Sequence, residues 1–192
     1  MFGYVSGTIK NLGIVSGNVA TTSTAASTYA GSLVGYLTGM VENCYSSANL
    51  TISLTQNVYA GGLIGHIDTA ATVKDSYASG DISVTTTSGY AYAGGFVGAN
   101  KGTIEGCLAF GNVTAHGQND SYSRNGGFVA TNSGTLTECY RSESQILTKY
   151  TTVGNAHCND GVVKSDADMI SYAKTNWSSS IWEYELKYPS HK

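Results

Sequence analysis

The chain has 192 residues, a net charge of −3 and only 12% charged residues. That length suits one domain with a sizeable core, and the sparse charge excludes a disordered charged tail and a phosphate-neutralising nucleic-acid surface. The 24 glycines against a single proline, with abundant Ser and Thr and no Gly-X-Y period, exclude collagen and point to a β-rich, turn-rich fold.

The N-terminus, Met1 to Gly7, has neither the basic nor the apolar segment of a signal peptide. Its first residues already follow a strand pattern. The expectation is a piece of a longer exported chain, extracellular or at the cell surface, that reaches a membrane only through other parts of that chain. No apolar run is long enough for a membrane-spanning helix.

An internal repeat then dominates. Tyr29-Ala30-Gly31-Ser32-Leu33-Val34-Gly35 recurs as Tyr59-Ala60-Gly61-Gly62-Leu63-Ile64-Gly65 and as Tyr92-Ala93-Gly94-Gly95-Phe96-Val97-Gly98. A weaker copy is Arg124-Asn125-Gly126-Gly127-Phe128-Val129-Ala130. Gly31, Gly61, Gly94 and Gly126 lie 30, 33 and 32 residues apart. A second block follows each copy and aligns Val41, Val73, Ile104 and Leu136. Gly7-Thr8-Ile9 looks like the same block of an earlier repeat. A third block is a Gly-Asn or Gly-Asp turn before a short strand, at Gly17, Gly80 and Gly111.

Apolar residues recur at period two or in pairs, never at 3.6, so helical repeats are excluded and about three short strands per repeat are expected. Leucine-rich repeats and propeller blades have other periods. The reading is an all-β fold: a single-stranded right-handed parallel β-helix of about five turns, closed by a C-terminal helix/strand cap. Repeats are expected at 1–28, 29–58, 59–91, 92–123 and 124–160, with the cap at 161–192. In such a solenoid the aligned residues stack about 4.8 Å apart, and each buried aliphatic contributes about 1.5–3 kcal/mol before entropy. The Ser/Thr-rich exits Thr21–Thr28, Thr51–Val58, Ser83–Ala91 and Thr114–Ser123 vary most and should line one side, where binding faces often lie.

In the cap, Ser165 reads as a helix N-cap with Asp168 three residues on. Ile181 to Leu186 alternates like a strand. Both tryptophans, Trp177 and Trp182, lie here, as a lid over the exposed end of a solenoid would require.

Gly62-Leu63-Ile64-Gly65, and Gly95-Phe96-Val97-Gly98 followed by Asn100-Lys101-Gly102-Thr103-Ile104, resemble the GLUG-motif repeat, with Ala130 departing from the pattern. The resemblance spans about residues 3–150. It implies a bacterial surface or secreted protein: an adhesin-like chain, or repeats accessory to the catalytic domain of an immunoglobulin-A-specific metallopeptidase. It implies no catalytic residue.

Candidate sites follow from the columns. Tyr29, Tyr59 and Tyr92 share one column, and Tyr45, Tyr77 and Tyr140 share another, with Leu108 in the gap. They are either an exposed aromatic strip for a host glycan or protein, or half-buried stacking between turns. Cys44, Cys107 and Cys139 share a position that Ser76 fills in the remaining copy. They form either a disulfide or metal site, or a structural ladder of small buried side chains. Glu42, Lys74 and Glu105 form a solvated charge ladder. Asp75 with Glu105 or Glu138 is the only conceivable acid pair, without convergent Arg or His. His66, His116, His157 and His191 occupy unrelated positions, and His157-Cys158 lacks the signature of a nucleophile pair. No catalytic residue, metal or cofactor is expected. The expected function is a monomeric non-catalytic module for adhesion, ligand binding or spacing. A peptidase accessory domain and, less so, a β-helix carbohydrate-active enzyme are the alternatives.

Overall fold

The computed structural model describes residues 1–154, 161–184 and 188–192. They form a parallel β-helix of about five turns. Each full turn carries five short strands, not three, and equivalent strands stack into parallel sheets. The first sheet holds Phe2–Val5, Val34–Leu37, Ile64–Ile67, Val97–Asn100 and Val129–Asn132. The second holds Ser27–Gly31, Asn57–Gly61, Ala91–Gly94 and Ser123–Gly126. The third runs from Thr8–Lys10 to Thr135–Thr137, the fourth from Gly13–Ile14 to Val162–Lys164, and the fifth from Asn18–Val19 to Leu147–Lys149.

The extra strands come from tight corners. Only Gly62-Leu63 separates the second-sheet strand from the first-sheet strand, so the two read as one block in sequence. Leu33, Leu63, Phe96 and Phe128 point inward from this corner and are fully buried. Phe96 stacks on Phe128 at 4.9 Å. Val41, Val73 and Ile104 stand in register and are fully buried, with Leu136 next and partly buried. The opposite wall packs Leu50, Ile82, Val113 and Leu147.

Another corner, between the third and fourth sheets, turns through the left-handed region at Asn11, Asn43, Asp75, Gly106 and Glu138, with φ between 45° and 66°. Asn, Asp and Gly are the residues that tolerate this conformation best. Repetition at one point of the turn lets successive backbones remain in register.

The C-terminal segment forms the expected helix and strand. Ser165 caps the helix Asp166–Asn176, its hydroxyl accepting from the Asp168 amide at 3.1 Å. Trp182–Glu183 then pairs antiparallel with Ser190–His191. Glu185 and Leu186, expected to extend that strand, lie outside the described residues, as do His157 and Cys158. The seat of the segment is the flank of the solenoid. Ser142 donates to Asp166 at the last turn, Trp177 Nε1 donates to Gly106 O one turn back, and Trp182 Nε1 donates to Asn43 Oδ1 further back. The segment is therefore a strap along the left-handed corners. Among the described residues no helix is long and apolar enough to cross a membrane.

Candidate functional site

The two tyrosine columns lie on different faces and have different fates. Parallel register sets Tyr29, Tyr59 and Tyr92 on one line of the second sheet, followed by Arg124. Val58 and Ala60 are buried on either side of Tyr59, so strand alternation turns the phenol outward. The Tyr59 ring lies 5.2 Å from Tyr29 and 4.3 Å from Tyr92, the latter pair within 6° of parallel. The stack keeps one side to solvent, and Tyr29 is 37% exposed.

The first sheet carries a second outward ladder. Register places Tyr4, Tyr36 and His66 in one column. Tyr36 stacks on Tyr4 at 5.8 Å and on His66 at 4.5 Å. Tyr29 meets Tyr36 and His66 edge-on at 5.3 and 5.0 Å, which joins the two ladders into one aromatic face. The last glycine of the repeat block permits this closeness. A Cβ at Gly65 would lie 2.4 Å from Ala30 N and 2.6 Å from Gly35 O.

The second ladder stops at His66. The next residues in its column are Ala99 and Thr131. The step from imidazole to methyl leaves a cavity of about 210 Å³ beside His66, walled by Tyr59, Tyr92, Asn100, Lys101 and Ser133. His66 is 4% exposed, and neither ring nitrogen has a hydrogen-bond partner. Burial, then the Lys101 charge, lowers its pKa against a smaller opposing effect of Asp68. The imidazole is therefore neutral near pH 7, with one nitrogen donating and the other accepting. Asn100 is held rigid: Nδ2 donates to Asn132 Oδ1 at 2.9 Å and Oδ1 accepts from Gly102 N at 3.0 Å. Sequence reading missed this cavity because His66 looked isolated. The signal was its place after Gly65, matching Tyr36 after Gly35 and Ala99 after Gly98.

In the other column Tyr45 and Tyr77 stack at 5.1 Å and within 4° of parallel, in register with Leu108 and Tyr140. The strap covers them. Tyr45 is 7% and Tyr77 2% exposed, packed with Met169, Trp177 and Trp182. Tyr77 Oη donates to Pro189 O at 2.6 Å, and burial raises its pKa. Tyr140 is half-buried between Tyr172 and the ammonium of Lys164. Of the two readings of this column, the exposed strip does not fit Tyr45 and Tyr77, which the chain's own C-terminal segment covers by apolar packing.

The acids are also engaged. Lys10 pairs with Glu42 and Lys74 with Glu105, each at 2.7 Å. Tyr172 Oη donates to Glu138 Oε2 at 2.9 Å. Asp75 sits at a left-handed corner under the strap, and its pKa is pushed up to about 6 by burial and then by Glu105 and Glu42. Asp75 is half-buried, with Tyr172 and Trp177 of the strap beside the neighbouring corner Gly106.

Cys44, Cys107 and Cys139 are buried free thiols. Each Sγ donates to the carbonyl two residues before it: Glu42 at 3.2 Å, Glu105 at 3.3 Å and Thr137 at 3.4 Å. Ser76 makes the same bond to Lys74 O at 2.6 Å. The column is a set of small second donors to the carbonyl ahead of each left-handed corner, which also accepts from a backbone amide of the preceding turn. Burial raises all three thiol pKa values, that of Cys139 to about 12. Among the described residues no three His, Cys, Asp or Glu side chains group as a metal site would need.

Comparison with known proteins agrees with this geometry. The GLUG motif matches residues 26–53 and 56–85. A crystal structure described as a "putative immunoglobulin A1 protease" from Bacteroides ovatus superposes with a TM-score of 0.79 at 22% identity, covering 99% of this chain and 70% of that one. No curated protein matches. GLUG-motif β-helix repeats are a non-catalytic kind of domain. The chain is a parallel β-helix in which residues 26–53 and 56–85 match the GLUG motif.

Proposed function

We propose that this β-helix is a ligand-binding module of a bacterial surface or secreted protein, with the face formed by Tyr29, Tyr59, Tyr92 and His66 as its binding surface and a host glycan or protein as its partner. One observation carries this reading. Of the two tyrosine columns, the strap buries one and leaves the other along a groove whose floor is a buried, unpartnered imidazole. Aromatic rings beside a few fixed polar groups are the usual composition of a binding site. The variable exits flank this face, with Tyr90 and Tyr122 packed at 4.6 Å at its border. The test is an array of host glycans and extracellular matrix proteins probed with the chain and with Tyr59→Ala. Binding that the substitution removes supports the reading, and an array without a hit reduces the module to a spacer.

A second reading is favoured by the similarity to the Bacteroides ovatus structure. As part of a secreted peptidase this chain would be accessory, because its buried thiols and Glu42, Glu105 and Glu138 are held in structural bonds. Incubation of the isolated chain with immunoglobulin A1 should leave the substrate intact, while a longer parent chain should cleave it.

A further inference from the structure

The cavity beside His66 is the place where a ladder of rings loses one member. Tyr4, Tyr36 and His66 stack through three successive turns, and Ala99 takes the fourth position of the column. Successive turns are about 4.8 Å apart, so the missing ring leaves a slot one residue thick against the free face of the imidazole. We propose that this slot binds the pyranose ring of a single glycan residue, an acidic sugar in preference to a neutral one; this rests on the binding-face reading above.

Size and lining both point to this ligand. About 210 Å³ holds one ring and is smaller than the roughly 300–1,000 Å³ of pockets for drug-sized ligands. His66 offers one face for stacking, and its two nitrogens supply a donor and an acceptor that no protein group uses. Burying such groups unpaired costs stability, and a hydroxyl-rich ring would pair them. The remaining wall adds the hydroxyls of Thr131 and Ser133, the latter donating to Asn100 O at 3.4 Å and so open as an acceptor. A purely aromatic guest would leave the two imidazole nitrogens unpaired. Among the described residues Lys101 is the one charged lining residue, and it lies at the exposed rim, where it would meet a sugar carboxylate.

The experiment is a titration of the 192-residue chain by saturation-transfer NMR with methyl glucoside, methyl glucuronide, methyl sialoside and phenol. Saturable binding of the glycosides, strongest for the acidic ones, is expected. Ala99→Tyr should complete the ladder, weaken binding by at least about tenfold and leave the melting temperature equal or higher. Thr131→Tyr, one turn on in the same column, is the second filling variant should Ala99→Tyr fold poorly. Lys101→Gln should abolish the preference for acidic glycosides. Glycoside binding that survives both filling variants overturns the slot but not the binding-face reading. Binding of phenol without any glycoside overturns the sugar assignment. If no probe binds, the slot proposal fails, and the array result with Tyr59→Ala then decides separately whether the face binds anything.

Discussion

The indole Nε1 of Trp177 donates to the carbonyl of Gly106 at 3.0 Å, 71 residues away in sequence. Gly106 is the one glycine in the column of left-handed corners, and a Cβ there would lie 2.7 Å from Asp75 Oδ1 and 3.3 Å from Tyr172 Oη. Trp177 is 3% exposed and packs on Tyr77 and Trp182. Trp177→Ala should cost about 3–5 kcal/mol, whereas Trp177→Phe, which keeps most of the bulk and loses the hydrogen bond, should cost about 1–3 kcal/mol. Denaturant unfolding measures both. A Trp177→Ala chain within about 1 kcal/mol of the parent would mean that the strap adds nothing to the solenoid.

Asp75 should make stability fall as pH rises. Its folded pKa is about 6, raised from 3.8 by burial first and by Glu105 and Glu42 next. The folded state therefore holds this proton through a range in which the unfolded carboxyl has released it. The contribution is fully present below about pH 4 and is lost as pH rises through about 6. Asn11 and Asn43 occupy the same left-handed corner, so Asp75→Asn fits the backbone. The variant should melt higher than the parent at pH 7, by a margin that shrinks toward pH 4. A margin independent of pH would assign the gain to backbone preference alone.

The columns were legible because parallel stacking copies one turn's environment onto the next. Val41, Val73 and Ile104 need the same kind of side chain and show it. Three features lacked such a signature. The Gly62-Leu63 corner contains no polar turn residue, so two strands read as one. His66 sits in a column whose members differ, since each ring there meets a different neighbour. The seat of the strap depends on contacts such as Trp177 with Gly106, and a segment that occurs once has no period to reveal its register. The same reasoning explains Tyr45 and Tyr77: alternation correctly turns them outward from the solenoid, and only a distant segment decides whether outward means solvent.

The thiol column should tolerate Ser and resist reagents. Ser76 already makes the bond that Cys107 makes to Glu105 O, so Cys107→Ser should cost less than about 1 kcal/mol. Cys107→Val removes the thiol's bond while Glu105 O keeps the Asp75 amide at 3.2 Å, so it should cost about 0.5–1.5 kcal/mol. The nucleophile in labelling is the thiolate, which burial suppresses at Cys107 and Cys139. In a Cys158→Ser background, Ellman's reagent at about pH 8 should label Cys44, Cys107 and Cys139 together and only upon unfolding. One thiol reacting early would reveal local opening of its turn.

The Tyr59–Tyr92 pair tests whether the open column is a rigid platform. The rings lie 4.3 Å apart and nearly parallel, and parallel register fixes their backbones opposite each other. Such a pair adds about 0.5–1.5 kcal/mol beyond burial, so a double-mutant cycle on Tyr59→Ala and Tyr92→Ala should return a coupling of about that size. The phenol gives an independent readout. Tyr59 is pushed up to about 12 by burial and then by Tyr92, through its charge and a hydrogen bond. Ultraviolet titration of Tyr92→Phe should therefore show one tyrosine ionising at lower pH than in the parent. Coupling near zero, with an unshifted titration, would mean that each ring moves alone. The side-chain entropy of ordering both rings would then fall on ligand binding, and the face would favour tight recognition far less than a stack already ordered by the sheet beneath it.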